Sequence, residues 1–309
     1  MTLLLTHPAC LEHQPGPHHP ERPERLSAIL AKLQEEDFAR LQWAEAPLAT
    51  TEQLTRVHPA NYVQAMLGAR PEPGEYAMID GDTILSHGSL DAALRAAGAA
   101  VAGVDSVMAG KDRTAFAAVR PPGHHATPDI PGGFCLFNNV AIGARHAQAR
   151  HGVGKVAILD FDVHHGQGTQ AVVEIDPSLF YGSTHQSPLY PGTGHSSERG
   201  IDGNVANVPL RPNSGSAQFR HAWGEIILPQ LDRFAPELVI VSAGFDAHKA
   251  DPLAQLSLET ADFDWISREL LAIADRHAEG RLVSALEGGY DLDALAEATA
   301  AHVRVLMRP

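Results

Sequence analysis

The sequence predicts an α/β protein: a mostly parallel sheet with helices on both faces. Short β-branched or apolar runs alternate with helical stretches along the chain, the pattern of strand–helix units. The clearest runs are apolar throughout, as strands buried on both faces are. Their carboxyl ends carry His, Asp and Tyr, and ligands in open α/β sheets gather at that edge.

The elements follow in order. The opening MTLLLTHPAC has an apolar run of a few residues and no basic segment, too short for a signal peptide or a membrane span. The Pro/His-rich stretch Pro15–Pro23 reads as a loop leading into a helix near Arg25, LSAILAKLQEE. DAALRAAGAAVAGVDSVMAG is helical, and Ala115–Val119 is a strand that ends in RPPGHH. VAIGARHAQARHG is the next helix, followed by strand Val156–Leu159 ending in DFDVHHGQG. Strand Leu238–Ser242 ends in SAGFDAHKADP, TADFDWISRELLAIADRHA is helical, and strand Leu282–Leu286 ends in LEGGYD.

With 309 residues, 44% hydrophobic and 19% charged, residues 1–309 are expected to form one catalytic domain with a large core. A net charge of −14 repels phosphate backbones and favours cationic ligands, so nucleic acid is not an expected partner. No apolar run reaches membrane length; a cytoplasmic protein is expected, with homo-oligomerisation left open. The two cysteines, Cys10 and Cys135, lie outside any CxxC spacing and read as small buried hydrophobes. No repeat or low-complexity tract interrupts the chain.

In Leu159-Asp160-Phe161-Asp162-Val163-His164-His165, extended backbone puts Asp160, Asp162 and His164 on one side. An isolated Asp-x-His is more often a hydrogen-bonded structural pair than a metal site. Acidic and imidazole groups directly after an apolar strand are harder to explain that way, because burying uncompensated carboxylates is costly. A cation is the simplest compensation. An oxygen and nitrogen donor set suits Zn²⁺ and accepts Fe²⁺, Mn²⁺ or Co²⁺. The third ligand would be Asp246 or Asp251, and the pattern favours Asp246, nearer the strand.

Arg120-Pro-Pro-Gly-His124-His125 sets two imidazoles on a proline-stiffened loop, suited to taking and returning a proton near neutrality. With 18 histidines in the chain, a pair alone is not specific. Glu287-Gly-Gly-Tyr290 puts a phenol beside an adaptable backbone, where it can stabilise a developing oxyanion. No nucleophile elbow, reactive-cysteine signature or P-loop competes for the chemistry.

Taken together, HPERPERL (residues 19–26), RPPGHHA, GGFCLFNN (132–139), DFDVHHGQGTQ, YPGTG (190–194), SAGFDAHKADP and LEGGYDL resemble the zinc-dependent histone deacetylase family. The likeness is to its class II-like bacterial members, the histone deacetylase-like and acetylpolyamine amidohydrolases. The resemblance implies the arginase/deacetylase fold with about eight strands, and hydrolysis of an acetylated amine such as acetyl-lysine or a small acetylamide. It implies metal ligands Asp162, His164 and, by motif spacing, Asp251 rather than Asp246. His125 matches the general base and acid, His124 its electrostatic partner oriented by Asp160, and Tyr290 the carbonyl-gripping tyrosine.

The same resemblance puts Gly133 and Phe134 along the substrate channel, Tyr190 on its facing wall, and Arg25 at an inner cavity beneath the metal. Asp160 and Ser183, with backbone carbonyls of Asp162 and His164, resemble a structural K⁺ site. Gln167 stands where class I members have aspartate, which implies a less basic His125. Leu258, seven residues after Asp251, occupies the gatekeeper position that is glutamate in polyamine-selective relatives.

Two rival readings remain at this level. A binuclear manganese ureohydrolase on the same fold needs further bridging carboxylates, and none follows His165 closely. A non-catalytic acyl-amine binder has no need of Tyr290 or the histidine pair.

Overall fold

The computed structural model describes residues 1–307. Its strands are β1 (Thr2–Thr6), β2 (Gln42–Glu45), β3 (Ala77–Met78), β4 (Ile84–Leu85), β5 (Thr114–Ala117), β6 (Val156–Asp160), β7 (Leu179–Gln186), β8 (Val205–Leu210), β9 (Leu238–Ala243) and β10 (Leu282–Leu286). The α-helices are α1 (Pro23–Leu33), α2 (Thr51–Leu54), α3 (Ala60–Gly68), α4 (Ser89–Met108), α5 (Asn139–His151), α6 (Gln167–Val173), α7 (Ser216–His221), α8 (Leu228–Phe234), α9 (Thr260–His277) and α10 (Leu292–Leu306).

Eight strands form the central sheet in the order β2-β1-β5-β10-β9-β6-β7-β8, and every pairing within it is parallel. Only the small β3–β4 hairpin is antiparallel. The fold class expected from the sequence holds, and the four strands it located sit adjacent at the middle of the sheet as β5-β10-β9-β6. Their residues are buried throughout. The continuous apolar runs follow from that, because side chains on both faces pack under helices.

Helices α4 and α5 pack together in one layer, while α10 packs with α1 and α9 in another. Helix α1 starts at Pro23, where proline's missing N–H and fixed φ suit the first helical turn. At the other end of the chain, Thr2 Oγ1 donates to the Leu306 carbonyl at 2.9 Å.

Because all eight strands run in one direction, the loops after β5, β6, β9 and β10 emerge at one edge. The chemistry-bearing segments are therefore brought together by topology alone. Among the described residues, no helix is long and apolar enough to cross a membrane.

Candidate active site

The segment after β6 turns so that its polar groups converge. The Asp162 Oδ1 atom lies 3.1 Å from His164 Nδ1 and accepts the His164 N–H at 2.8 Å. From the end of β9, Asp246 Oδ2 approaches the same His164 nitrogen at 3.1 Å. One ligand atom from each of Asp162, His164 and Asp246 lies within 4.8 Å of the others, and all three residues are buried.

Asp251, the third ligand implied by the motif spacing, stands next to this group rather than within it, close enough to feel the Asp246 and Asp162 charges. Its carboxylate accepts the Tyr290 N–H at 2.7 Å and the Leu253 N–H at 2.9 Å. The strand-proximal aspartate sits at the metal-type cluster, and the later one braces the loop that carries the tyrosine. Burial and the neighbouring Asp246 charge push Asp251 up to about 7.

The cluster suits a cation. Burial disfavours an imidazolium, yet hydrogen bonds to Asp162 and Asp246 raise His164 to about 10, so the pocket draws positive charge to that nitrogen. Two buried carboxylates beside one imidazole match the hard-oxygen and nitrogen donors that Zn²⁺ and its neighbours take. Space is fixed as well: a Cβ at Gly288 would strike the Asp246 carboxylate, and the Gly288 N–H donates to Asp162 Oδ2 at 2.8 Å.

Both histidines of the loop after β5 reach this pocket. His124 Nδ1 donates to Asp160 Oδ2 at 3.0 Å, and that oxygen also accepts the Tyr181 hydroxyl at 2.9 Å. Burial works against a charged His124, but Asp160, Asp162 and Glu287 outweigh it and hold its pKa well above the usual value. His125 Nδ1 donates to Gln167 Oε1 at 2.7 Å, which leaves Nε2 as the acceptor. Burial, then the charges of His124 and His164, keep His125 well below an ordinary imidazole. The adjacent rings, with centroids 4.0 Å apart, thus differ in protonation because their partners differ.

Tyr290 is 9% exposed, and its ring lies over the Arg25 guanidinium at 4.8 Å. Burial and the Asp246, Asp162 and Asp251 charges hold its phenol well above the ordinary range, against the pull of Arg25, so it remains a proton donor. Arg25 itself is fully buried and donates to the carbonyls of Gly289 at 2.6 Å and Glu287 at 2.5 Å. Arg25 lies beneath the tyrosine loop and locks that loop's path.

Aromatic walls surround the histidines. Phe134 meets Tyr290 edge-on at 6.1 Å, and Tyr190 meets His125 at 5.0 Å and His164 at 6.4 Å. Gly133 and Phe134 take φ of +55° and +69°; at Gly133 a Cβ would collide with the His125 ring, so this close approach requires glycine. Tyr190 is 43% exposed, which sets it at the rim.

Leu258, the gatekeeper position implied by the motif spacing, is enclosed. It is fully buried within the hydrophobic core, and its backbone pairs with Ala247 and Lys249. Leu253, two residues after Asp251, is 38% exposed. Asp160 and Ser183 are register partners across β6 and β7 and are both fully buried; the Ser183 hydroxyl meets His185 Nδ1 at 2.9 Å. His165 turns away from the cluster, toward Thr193 and Gln170.

Two buried acids were not singled out from the sequence. Glu287 accepts the N–H groups of Gly123 and His124 at 2.6 and 3.1 Å and the Ser242 hydroxyl at 3.0 Å, tying the ends of β5, β9 and β10 together. Glu21, fully buried, meets Arg25 at 3.0 Å and receives two bonds from Arg120 at 2.5 and 2.6 Å. Each stands beside a residue that was noticed, and each is a carboxylate in a segment the fold buries.

Comparison with known proteins finds relatives along nearly the whole chain. The histone deacetylase domain model matches residues 19–306. A probable deacetylase of Archaeoglobus fulgidus is 39% identical, over 95% of this chain and 82% of that protein. A histone deacetylase-like amidohydrolase of Pseudomonas aeruginosa is also 39% identical, over 91% of this chain and 79% of that one. The crystal structure of the HDA15 HD domain superposes with a TM-score of 0.93 at 35% identity, covering 99% of this chain and 87% of that one. Since the match extends through every strand end that feeds the pocket, the chain belongs to the histone deacetylase family, metal-dependent hydrolytic enzymes acting on acetylated amines.

Proposed function

We propose that the protein is a zinc-dependent deacetylase that hydrolyses the amide of an acetylated amine, with Asp162, His164 and Asp246 as metal ligands. The observation that carries this reading is that the three-residue cluster, His125 and Tyr290 are buried together at the strand ends, where burial holds His125 below and Tyr290 above their ordinary ranges. A divalent ion held there supplies Lewis acidity, polarising the amide carbonyl and making a water molecule more acidic.

The chain's own groups supply the rest. His125, with Nδ1–H committed to Gln167, takes the water's proton at Nε2 and returns it to the departing amine. Tyr290 donates its hydroxyl to the oxygen on which negative charge develops. His124, held as an imidazolium against Asp160, adds positive charge alongside. Phe134 and Tyr190 exclude water around the linear part of the substrate, and Gly133 makes room for the His125 ring.

Asp160 and Ser183, with the backbone carbonyls of Asp162 and His164, are the proposed holders of a structural K⁺. An apolar gate residue, Leu258 by the motif spacing or the partly exposed Leu253, favours acyl-lysine or a neutral acetylamide over an acetylpolyamine. The test is a panel of acetyl-lysine peptides, acetylpolyamines and aryl acetamides assayed for acetate release by zinc-loaded protein. Release from the first or third class supports the reading; zinc-loaded protein inert on all three sinks it.

A further inference from the structure

A second group of metal-type side chains lies on the helical layer, outside the pocket. Asp105, in the last turn of α4, meets His146 and His151 of α5. Asp105 Oδ1 lies 2.7 Å from His146 Nε2 and 2.7 Å from His151 Nε2. One ligand atom from each residue falls within 4.8 Å of the others. His151 is the last residue of α5, roughly 18 Å along the helix from Asn139 at 1.5 Å per residue, so the group is spatially separate from the strand ends.

We propose that Asp105, His146 and His151 form a second, peripheral site for a divalent transition metal of the zinc, nickel and copper kind. Two imidazoles and one carboxylate are a donor set these ions accept. Ligand atoms around Zn²⁺ at about 2.0–2.1 Å stand roughly 3.3 Å apart in a tetrahedron, so the group opens by a few tenths of an ångström. The Asp105 side chain is 49% exposed and that of His151 22%, leaving the remaining positions open to water.

Arg56 sets the terms of entry. Its Nη1 donates to His146 Nδ1 at 2.6 Å; because arginine cannot accept, the neutral imidazole carries its proton on Nε2 and gives it to Asp105. An ion binding at Nε2 requires that proton to move to Nδ1. The guanidinium then swings off toward Glu52, which already accepts its Nη2 at 2.9 Å. At His151 the ion likewise takes Nε2, and the ring's N–H then lies on Nδ1.

This site bears on how metal content is interpreted. Two ions per chain would otherwise suggest a binuclear centre at the strand ends. Zinc alone is titrated calorimetrically into the metal-free full chain and into His151→Ala, Asp246→Ala and Arg56→Ala variants. The wild type is expected to take two equivalents. His151→Ala keeps one, weakens the second at least tenfold, and retains full deacetylase activity. Asp246→Ala keeps the peripheral equivalent while activity falls, and Arg56→Ala binds the peripheral ion several-fold tighter. Copper loaded into Asp246→Ala gives an electron paramagnetic resonance spectrum with two-nitrogen coupling, lost in the His151→Ala, Asp246→Ala double variant. A single equivalent in the wild type overturns the proposal, as does a second equivalent unchanged by His151→Ala. Neither result touches the strand-end assignment, which the Asp246→Ala activity reads separately.

Discussion

Asp246 Oδ2 stands 3.1 Å from His164 Nδ1, although the two residues come from the ends of different strands. That contact separates the two aspartates of SAGFDAHKADP: one reaches the cluster, and the other holds the Tyr290 backbone N–H. Asp246→Ala is expected to lower strand-end metal affinity by more than the roughly 10–100-fold typical of outer groups. Asp251→Asn keeps its metal and loses turnover through a misplaced tyrosine. Metal analysis after dialysis, paired with kcat, checks both; the reverse pattern would restore Asp251 as ligand.

Removing the Tyr290 hydroxyl tests the oxyanion role. Tyr290→Phe is expected to cut kcat by about 10²–10³-fold, with metal content and fold unchanged. Near-normal turnover would leave the role without support.

The His125 partner should set the acid limb of the pH–rate profile. An amide oxygen at Nδ1 adds no full charge, and burial with the His124 and His164 charges keeps this imidazole low. Gln167→Glu places a carboxylate there, favours the imidazolium, and moves the rising limb to higher pH by roughly 1–3 units. An unmoved limb in kcat/KM would mean another group titrates.

Exposure distinguishes the two candidate gate residues. Leu253→Glu adds a charge at a partly exposed position and should fold while shifting kcat/KM toward acetylpolyamines. Leu258→Glu buries an unpaired carboxylate in the core and should unfold or lose several kcal/mol. Equal tolerance of both substitutions would contradict this placement.

Acid stability carries a signature from His302. Fully buried between the Ser267 and Ser284 hydroxyls, it is pushed by burial from 6.5 down to about 3. Below pH 6.5 the unfolded chain binds a proton at this residue and the folded chain does not. Stability is therefore present in full above 6.5 and lost as pH falls toward 3, by about 1.4 kcal/mol per pH unit. Urea unfolding of His302→Gln should show a pH dependence shallower by that amount; an identical slope would show that His302 titrates alike in both states.

How much of this was legible in the sequence depended on where each group's partner lies. The four central strands announce themselves because both faces are apolar. Strand β7, LFYGSTHQ, is buried along its whole length yet half polar, so hydropathy hides it; fold-level hydrogen bonds satisfy its polar groups. Extended-chain alternation singles out Asp162 and His164, but β6 ends at Asp160 and it is the turn after it that brings the two together. Alternation does not decide between Asp246 and Asp251, because that turns on which carboxylate the Tyr290 backbone claims from 39 positions away. Glu287 and Glu21 were hidden for the same reason: their partners Gly123 and Arg120 lie 164 and 99 residues off.

The Glu287 tether has a thermodynamic consequence for inhibitors. By fastening three strand ends around the histidine loop, it leaves little backbone freedom for a ligand to quench deep in the pocket. Compounds filling that depth should bind with small ordering penalties and nearly identical protein conformations. Those reaching outward to Tyr190 must instead immobilise an exposed side chain, and their affinity should show a larger unfavourable entropy.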